Sequence, residues 1–225
     1  LATGSIERPM AFAHNDRPGV MLSQALCSYV RRFGLIPGKR VVIATNNDDA
    51  YKTAQALKEA GAQIVAILDA RPAPAGANSG HRVYNDAVPL STKGARHCLK
   101  SVSALVDGKV MDWDADLLAV SGGFTPVVHL HMQAGGTLDW NEDAQAFIPA
   151  SSRQNVTTIG GAAEPQPIFK MVPVGKPKKS FIDFQNDVTL ADVDLAWAEG
   201  YRSVEHLKRY TTLGMATDQG KFSNM

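Results

Sequence analysis

The chain has 225 residues, 44% hydrophobic and 20% charged, and its 23 Lys and Arg against 22 Asp and Glu leave a net charge of +1. That length holds one or two domains with a sizeable core. The balanced, interspersed charge excludes a phosphate-backbone binder, and no apolar run approaches the roughly 20 residues of a bilayer helix, so neither nucleic acid nor membrane is an expected partner.

In chain order, Leu1-Ala2-Thr3-Gly4-Ser5 reads as a strand end running into a turn, which suggests a chain that begins inside a domain. Nothing basic followed by an apolar run opens it, so no secretory signal is read. A dense apolar stretch, Val20 to Val30, is interrupted by Ser23, Gln24 and Ser28. Cys27 and Cys98 are too few for a disulfide framework and read as reduced, buried thiols of a cytoplasmic protein.

The clearest unit follows the Pro37-Gly38 turn. Arg40 to Ala44 is an apolar, β-branched run suited to a strand buried on both faces. Thr45-Asn46-Asn47-Asp48 breaks it, and Asp48 or Asp49 is placed to cap a helix. Ala50, Ala54, Leu57 and Ala60 recur at helical spacing until Gly61 stops them. Gln63 to Leu68 is a second buried strand ending at Asp69. Strand, helix and parallel strand form a βαβ unit with a right-handed crossover.

Residues 72–80, rich in Pro, Ala and Gly, read as a loop. Ser101 to Val106 and Gly108 to Trp113 read as two strands around Asp107-Gly108. Asp116 to Val120 is a further strand that runs into Ser121-Gly122-Gly123-Phe124-Thr125-Pro126. Residues 164–180 form a Pro- and Lys-rich connector, in which Lys176, Lys178 and Lys179 read as a solvated loop. Helical pattern returns at Leu190 to Ala198 and Val204 to Tyr210.

The chemistry legible in these residues centres on the βαβ unit. A dinucleotide needs its phosphates over a helix N-terminus, where free N–H groups and the dipole favour anions, and a carboxylate ending the second strand to accept ribose hydroxyls. Asp69, 24 residues after Thr45, suits that role. The G-x-G-x-x-G fingerprint is replaced by Thr45-Asn46-Asn47-Asp48-Asp49-Ala50, which puts Asp48 and Asp49 beside the pyrophosphate position. Two readings follow: a dinucleotide site, or a βαβ unit that only packs. A carboxylate at Asp69 disfavours a 2′-phosphate and so favours NAD over NADP, although the nearby Arg71 suits that phosphate.

His129 and His131 form an H-x-H pair that would share one strand face, but no further ligand accompanies them, so ordinary packing is the reading and no metal is assigned. Ser121-Gly122-Gly123 lacks the G-x-S-x-G frame of a nucleophile elbow. No catalytic residue is assigned.

Several stretches together resemble a known family. The opening Ala2-Thr3-Gly4 and the Asp116–Pro126 run resemble the segments by which two-dinucleotide-domain flavoproteins leave and re-enter their FAD domain. Asn155 to Ala163 resembles that domain's last strand. Thr45 to Tyr51 with Asp69-Ala70-Arg71-Pro72, Asp183 to Thr189, Glu199 to His206 and Lys208 to Gly220 resemble the alpha subunit of heterotetrameric sarcosine oxidase.

The resemblance implies an α/β, Rossmann-like fold and an oxidoreductase subunit. It would hold NAD and associate with a beta subunit that carries the amine-oxidising FAD and with other subunits, with an FMN at the subunit interface. Such enzymes convert sarcosine to glycine with peroxide as by-product, and the hydride abstraction would occur on the partner chain. The implied domains are an FAD-type remnant at 1–20, an NAD-type Rossmann-like domain at 21–125, an FAD-type return segment and connector at 126–182, and a helical segment at 183–225. This last segment resembles a 2Fe–2S-binding domain without its cysteines.

The four cluster-ligand positions read Asp183, Gln185, Asp218 and Ser223, so no iron–sulfur cluster is expected. Lys208, Arg209, Thr211, Thr212 and Gln219 either hold a flavin phosphate at the interface or form a solvated helix end with a capping turn. With Thr45, Asn46, Asn47, Asp48, Asp69, Arg71, Gly122 and Gly123 they complete the candidate cofactor-binding set. Two other readings remain: a non-catalytic assembly module, and the alpha subunit of a related amine or proline dehydrogenase.

Overall fold

The computed structural model describes residues 1–74, 80–95, 97–169, 171 and 179–221; Lys176, Lys178 and Ser223 fall outside them. The first half of the chain contains β1 (Ser5–Glu7), β2 (Val20–Leu22), α1 (Ser23–Phe33), β3 (Arg40–Thr45), α2 (Asp49–Glu59), β4 (Gln63–Asp69) and β5 (Val83–Tyr84). Next come β6 (Ala87–Ala95), β7 (Cys98–Val106), β8 (Lys109–Asp114), β9 (Leu117–Ser121), β10 (Phe124–Pro126) and α3 (His129–Gln133). The chain continues through β11 (Leu138–Asn141), β12 (Ala146–Pro149), a 3₁₀ turn at Gly160–Ala162, β13 (Phe181–Asp183), β14 (Val188–Thr189), α4 (Leu190–Ala198) and α5 (Val204–Thr211). Among the described residues, no helix is long and apolar enough to cross a membrane.

A five-stranded parallel sheet, in the order β2-β9-β3-β4-β5, organises the first half into a Rossmann-like α/β arrangement. Strand alternation divides its core into two layers. Val41, Ile43, Ile67, Leu117 and Ala119 pack under α1 and α2 with Leu26, Ala54 and Leu57. Val42, Ala44, Leu68, Leu118 and Val120 face the other way, against Val102, Ala104 and Trp113 of the antiparallel sheet β6-β7-β8.

Several expectations are corrected. The paired strands around Asp107-Gly108 have a third partner, β6, which precedes them. The opening residues lead into strand β1 rather than out of one, because Ser5–Glu7 pairs antiparallel with β10. His129 and His131 lie on α3, where residues two apart point to different sides of the helix. His131 is buried between Thr137 O (3.1 Å) and Thr158 Oγ1 (3.3 Å). Cys98 is exposed near the β6–β7 turn and Cys27 is only half-buried. Lys179 is exposed, as read for the connector, and pairs with Asp16 at 2.6 Å.

Two side chains bind the later segments to the sheet unit. Asn15 donates to Met10 O (3.0 Å) and Phe181 O (2.7 Å) and accepts the Phe181 N–H (2.9 Å), which docks the C-terminal unit on the N-terminal loop. Arg8 is buried, and burial lowers its guanidinium to about 10. It donates to Thr125 Oγ1 (2.8 Å) and to the carbonyls of Phe124 (3.0 Å), Gln145 (3.1 Å) and Ala144 (3.4 Å). Arg8→Ala removes these hydrogen bonds from a largely buried position, so it should cost roughly 2–4 kcal/mol in chemical denaturation.

Candidate functional site

Register places three polar residues side by side at the carboxyl ends of the parallel strands. Thr45 of β3 pairs with both Asp69 of β4 and Ser121 of β9. Continuing the alternation of Ile43, Ile67 and Ala119, all three fall on the helix side, under the start of α2. Connections from β3 run toward β4, whereas β9 lies on its other flank. The gap between the turns after β3 and β9 is therefore a topological switch point, where open α/β sheets bind ligands.

The turn after β3 caps itself. Thr45 Oγ1 accepts the Asn47 N–H (3.1 Å) and donates to Asn47 O (2.9 Å). Asn47 Oδ1 accepts the Asp49 N–H (3.1 Å), while its Nδ2 donates to Ser121 Oγ (3.0 Å) and O (3.1 Å). Asn47 therefore does the capping expected of Asp48 or Asp49, since Asp48 makes no side-chain cap bond. The Asn46 N–H donates to Ser121 O (3.3 Å).

Asp69 is fully buried, 0% exposed. Its Oδ1 accepts the Arg71 N–H (3.0 Å) and Nε (3.0 Å); its Oδ2 accepts Tyr51 Oη (2.8 Å) and Arg71 Nη2 (2.8 Å). A carboxylate offers about four acceptor positions, so this one has none left for ribose hydroxyls. Arg71 Nη2 reaches on to Asp48 Oδ1 at 2.7 Å, tying the helix start to the end of β4. Hydrogen bonding to Asp69 raises the Arg71 guanidinium, and burial followed by the Asp69 bond raises the Tyr51 hydroxyl.

The turn after β9 is equally enclosed. The Gly122 N–H donates to Arg8 O (2.9 Å), and a Cβ on Gly122 would stand 2.5 Å from Pro9 O. Gly123 has φ +98°, and a Cβ there would meet Ile168 Cγ2 at 2.5 Å. In this arrangement the Asn47, Asp49 and Gly122 N–H groups and the Asp69 carboxylate are engaged within the chain, so a dinucleotide that uses them does not fit without rearrangement.

Four neighbours lie outside the candidate set read from the sequence: Tyr51, Ser121, Phe169 and Glu7. Glu7 has no local signal, because its partners are far along the chain. It is 4% exposed; its Oε2 accepts the Gln24 N–H at the start of α1 (2.8 Å), and Oε1 has no partner. Desolvation raises its carboxyl to about 7, against hydrogen bonds from Gln24 and Ser121 and with a smaller push from Asp49.

The C-terminal candidates lie elsewhere. Lys208 and Arg209 occupy the last turn of α5, where cations complement the helix dipole. Thr211 Oγ1 donates to Leu207 O (2.8 Å) and accepts the Leu213 N–H (3.2 Å); Thr212, at φ +63°, donates to Thr211 O (2.6 Å). Both hydroxyls are thus used inside the helix cap. Gln219 is exposed in the following turn.

Asp183, at a cysteine position of the related pattern, is buried, yet backbone donors hold its carboxyl below the usual range. These are the N–H groups of Gly214 (2.8 Å), Gln185 (2.9 Å) and Asn186 (3.1 Å), with Asn186 Nδ2 at 3.2 Å. Gln185 Oε1 accepts Thr217 Oγ1 at 2.6 Å. Carboxylate and amide hydrogen bonds join the two loops here.

Residues 177–225 match the family model described as the sarcosine oxidase A3 domain. The whole chain aligns with the sarcosine oxidase subunit alpha of Rhizobium meliloti (strain 1021) at 38% identity over 266 positions. It aligns with that of Corynebacterium sp. (strain U-96) at 36% over 282. The chain is a homologue of the sarcosine oxidase alpha subunit. It spans 27% and 29% of those two relatives, both of which carry stretches without a counterpart here. In fold, it matches a solved L-proline dehydrogenase from P. horikoshii with a TM-score of 0.76 at 19% identity, covering 100% of this chain and 50% of that one.

Two outcomes test this part of the sarcosine oxidase alpha homologue. Arg71→Ala leaves Asp69 buried without its ion-pair partner and should lower stability by roughly 2–4 kcal/mol in urea denaturation. Folded Glu7 keeps its proton up to about 7, whereas an ordinary glutamate releases it near 4.5. Its contribution is therefore full below the lower value and is lost as pH rises through the higher one. Glu7→Gln should flatten that pH dependence and stabilise the protein at about pH 8 by up to roughly 3 kcal/mol, as read from denaturation midpoints.

Proposed function

We infer that this chain is part of a sarcosine oxidase-like alpha subunit in which residues 21–125 form an NAD-binding unit and residues 183–225 contribute to a subunit interface. The similarity of the whole chain to a part of sarcosine oxidase alpha subunits carries the reading. The switch-point crevice between the β3 and β9 turns supports it, because open α/β sheets bind ligands there. Amine oxidation, sarcosine to glycine with peroxide production, belongs to a beta subunit that carries FAD. An FMN lies between the subunits, with Lys208 and Arg209 toward its phosphate. The chain by itself is inactive in amine oxidation and works as a soluble cytoplasmic scaffold within a hetero-oligomer.

Thr45, Asn46, Asn47, Asp48, Gly122 and Gly123 border the phosphate position, with Asp69 and Arg71 at the ribose end, where Asp69 accepts a ribose hydroxyl only by giving up one of its present donors. The two carboxylates, Asp48 and Asp69, already neutralise Arg71, so a 2′-phosphate is disfavoured there and NAD is preferred over NADP.

A second reading, an assembly module that binds no nucleotide, is favoured by the engaged donors of both turns. Calorimetric titration distinguishes them. NAD should give saturable heat and NADP a much weaker response. A flat isotherm up to millimolar NAD, from a folded sample, removes the cofactor role from the closed arrangement and leaves the assembly module. Co-expression with a flavin-carrying beta subunit should give a co-eluting complex; chains that elute separately argue against the interface role.

A further inference from the structure

Residues 164–169 run back from the return segment to the sheet unit. There the backbone of Phe169 forms a two-way pair with Asn46: the Phe169 N–H donates to Asn46 O (3.4 Å), and Asn46 Nδ2 donates to Phe169 O (3.0 Å). The same Nδ2 reaches Gly122 O at 3.3 Å. Ile168 lies on Gly123, in the space where any larger residue would put its Cβ, and the Ile168 N–H donates to Asp143 O (2.9 Å). Met171 packs against the core layer containing Val42, Ala44 and Val120. One segment therefore touches both turns that define the switch point, and lies across the gap between them.

We propose that Ile168, Phe169 and Met171 form a strap that closes the crevice, so that strap docking and binding of a pyrophosphate-bearing ligand exclude each other. The proposal rests on the dinucleotide reading of this crevice and specifies how its occupancy is controlled. A ligand approaching the β3 turn must take the place of the Phe169 backbone on Asn46. A ligand entering over Gly122 and Gly123 must displace Ile168, because the glycine that admits the strap also admits the ligand. The strap's anchors are three hydrogen bonds to its backbone, one of them from the Asn46 side chain, and two apolar side chains; none of these is an ion pair. Such a contact is reversible at modest cost, and its closed fraction lowers the apparent affinity in proportion.

Two measurements test it. In the double variant Ile168→Gly/Met171→Gly, both apolar anchors are gone and neither belongs to the ligand set. Calorimetry should show NAD binding about tenfold tighter than to the unaltered chain if the strap is closed nine-tenths of the time. Heat in the variant alone supports the proposal equally. In the unaltered chain, hydrogen exchange of the peptide spanning 164–171 should speed up several-fold on addition of NAD. Equal affinity in both proteins, or slower exchange in that peptide with NAD bound, overturns the strap and leaves the dinucleotide site standing. No heat from either protein overturns the dinucleotide site, and the strap's exclusion of it falls as well.

Discussion

At the carboxyl ends of β3, β4 and β9, polar side chains are buried where no bulk water can serve them, and each must find a partner within the chain. Thr45, Asp69 and Ser121 meet there because parallel pairing sets them in register. An unpaired buried donor or acceptor costs on the order of 1–3 kcal/mol, and an unpaired charge more. The surrounding residues are arranged around that requirement. Asn47 reaches across to Ser121, Tyr51 and Arg71 fill the lone pairs of Asp69, and Asn46 takes the backbone of Phe169. The missing glycine fingerprint has a physical counterpart here: side chains of the turn supply the acceptors that a phosphate would otherwise supply.

The linker strand β1 enforces the arrangement from the other side. Glu7 ends β1 and Arg8 follows it directly, and their side chains reach different elements. Glu7 reaches the start of α1, and Arg8 reaches β10 and the carbonyls at 144–145. Between them the backbone of residues 8 and 9 lies against Gly122, a position that only glycine allows. A protonatable carboxyl and a carbonyl-bound guanidinium thereby hold the sheet unit to the segments on either side of it.

Legibility follows range. The βαβ unit can be read because its signals are local: two β-branched runs, a 3.6-residue apolar spacing and a glycine stop. Asp69 and Arg71 are legible as candidates, yet their mutual saturation is not, because it depends on Asp48 and Tyr51 being turned toward them by α2. The H-x-H pair misleads because a short apolar run gives no clear period, and packing decides for a helix at α3. Cys98 reads as buried from its residue type, but it stands beside a hairpin turn, where solvent reaches it. Glu7 and Asn46 find partners 17 and 123 residues away, at distances in the chain where no spacing rule applies.

Taken alone, the residue order determines an α/β chain with a parallel unit over 40–69, two C-terminal helices, and a set of polar residues at the right end of the sheet. Its motifs also resemble a family to which comparison ties the whole chain. Tertiary structure alone decides whether that polar set faces a ligand or its own neighbours. The answer is its own neighbours, because strand register, the burial of Asp69 and the path of residues 164–169 bring internal donors and acceptors onto Thr45, Asn46, Asn47, Asp69 and Gly122.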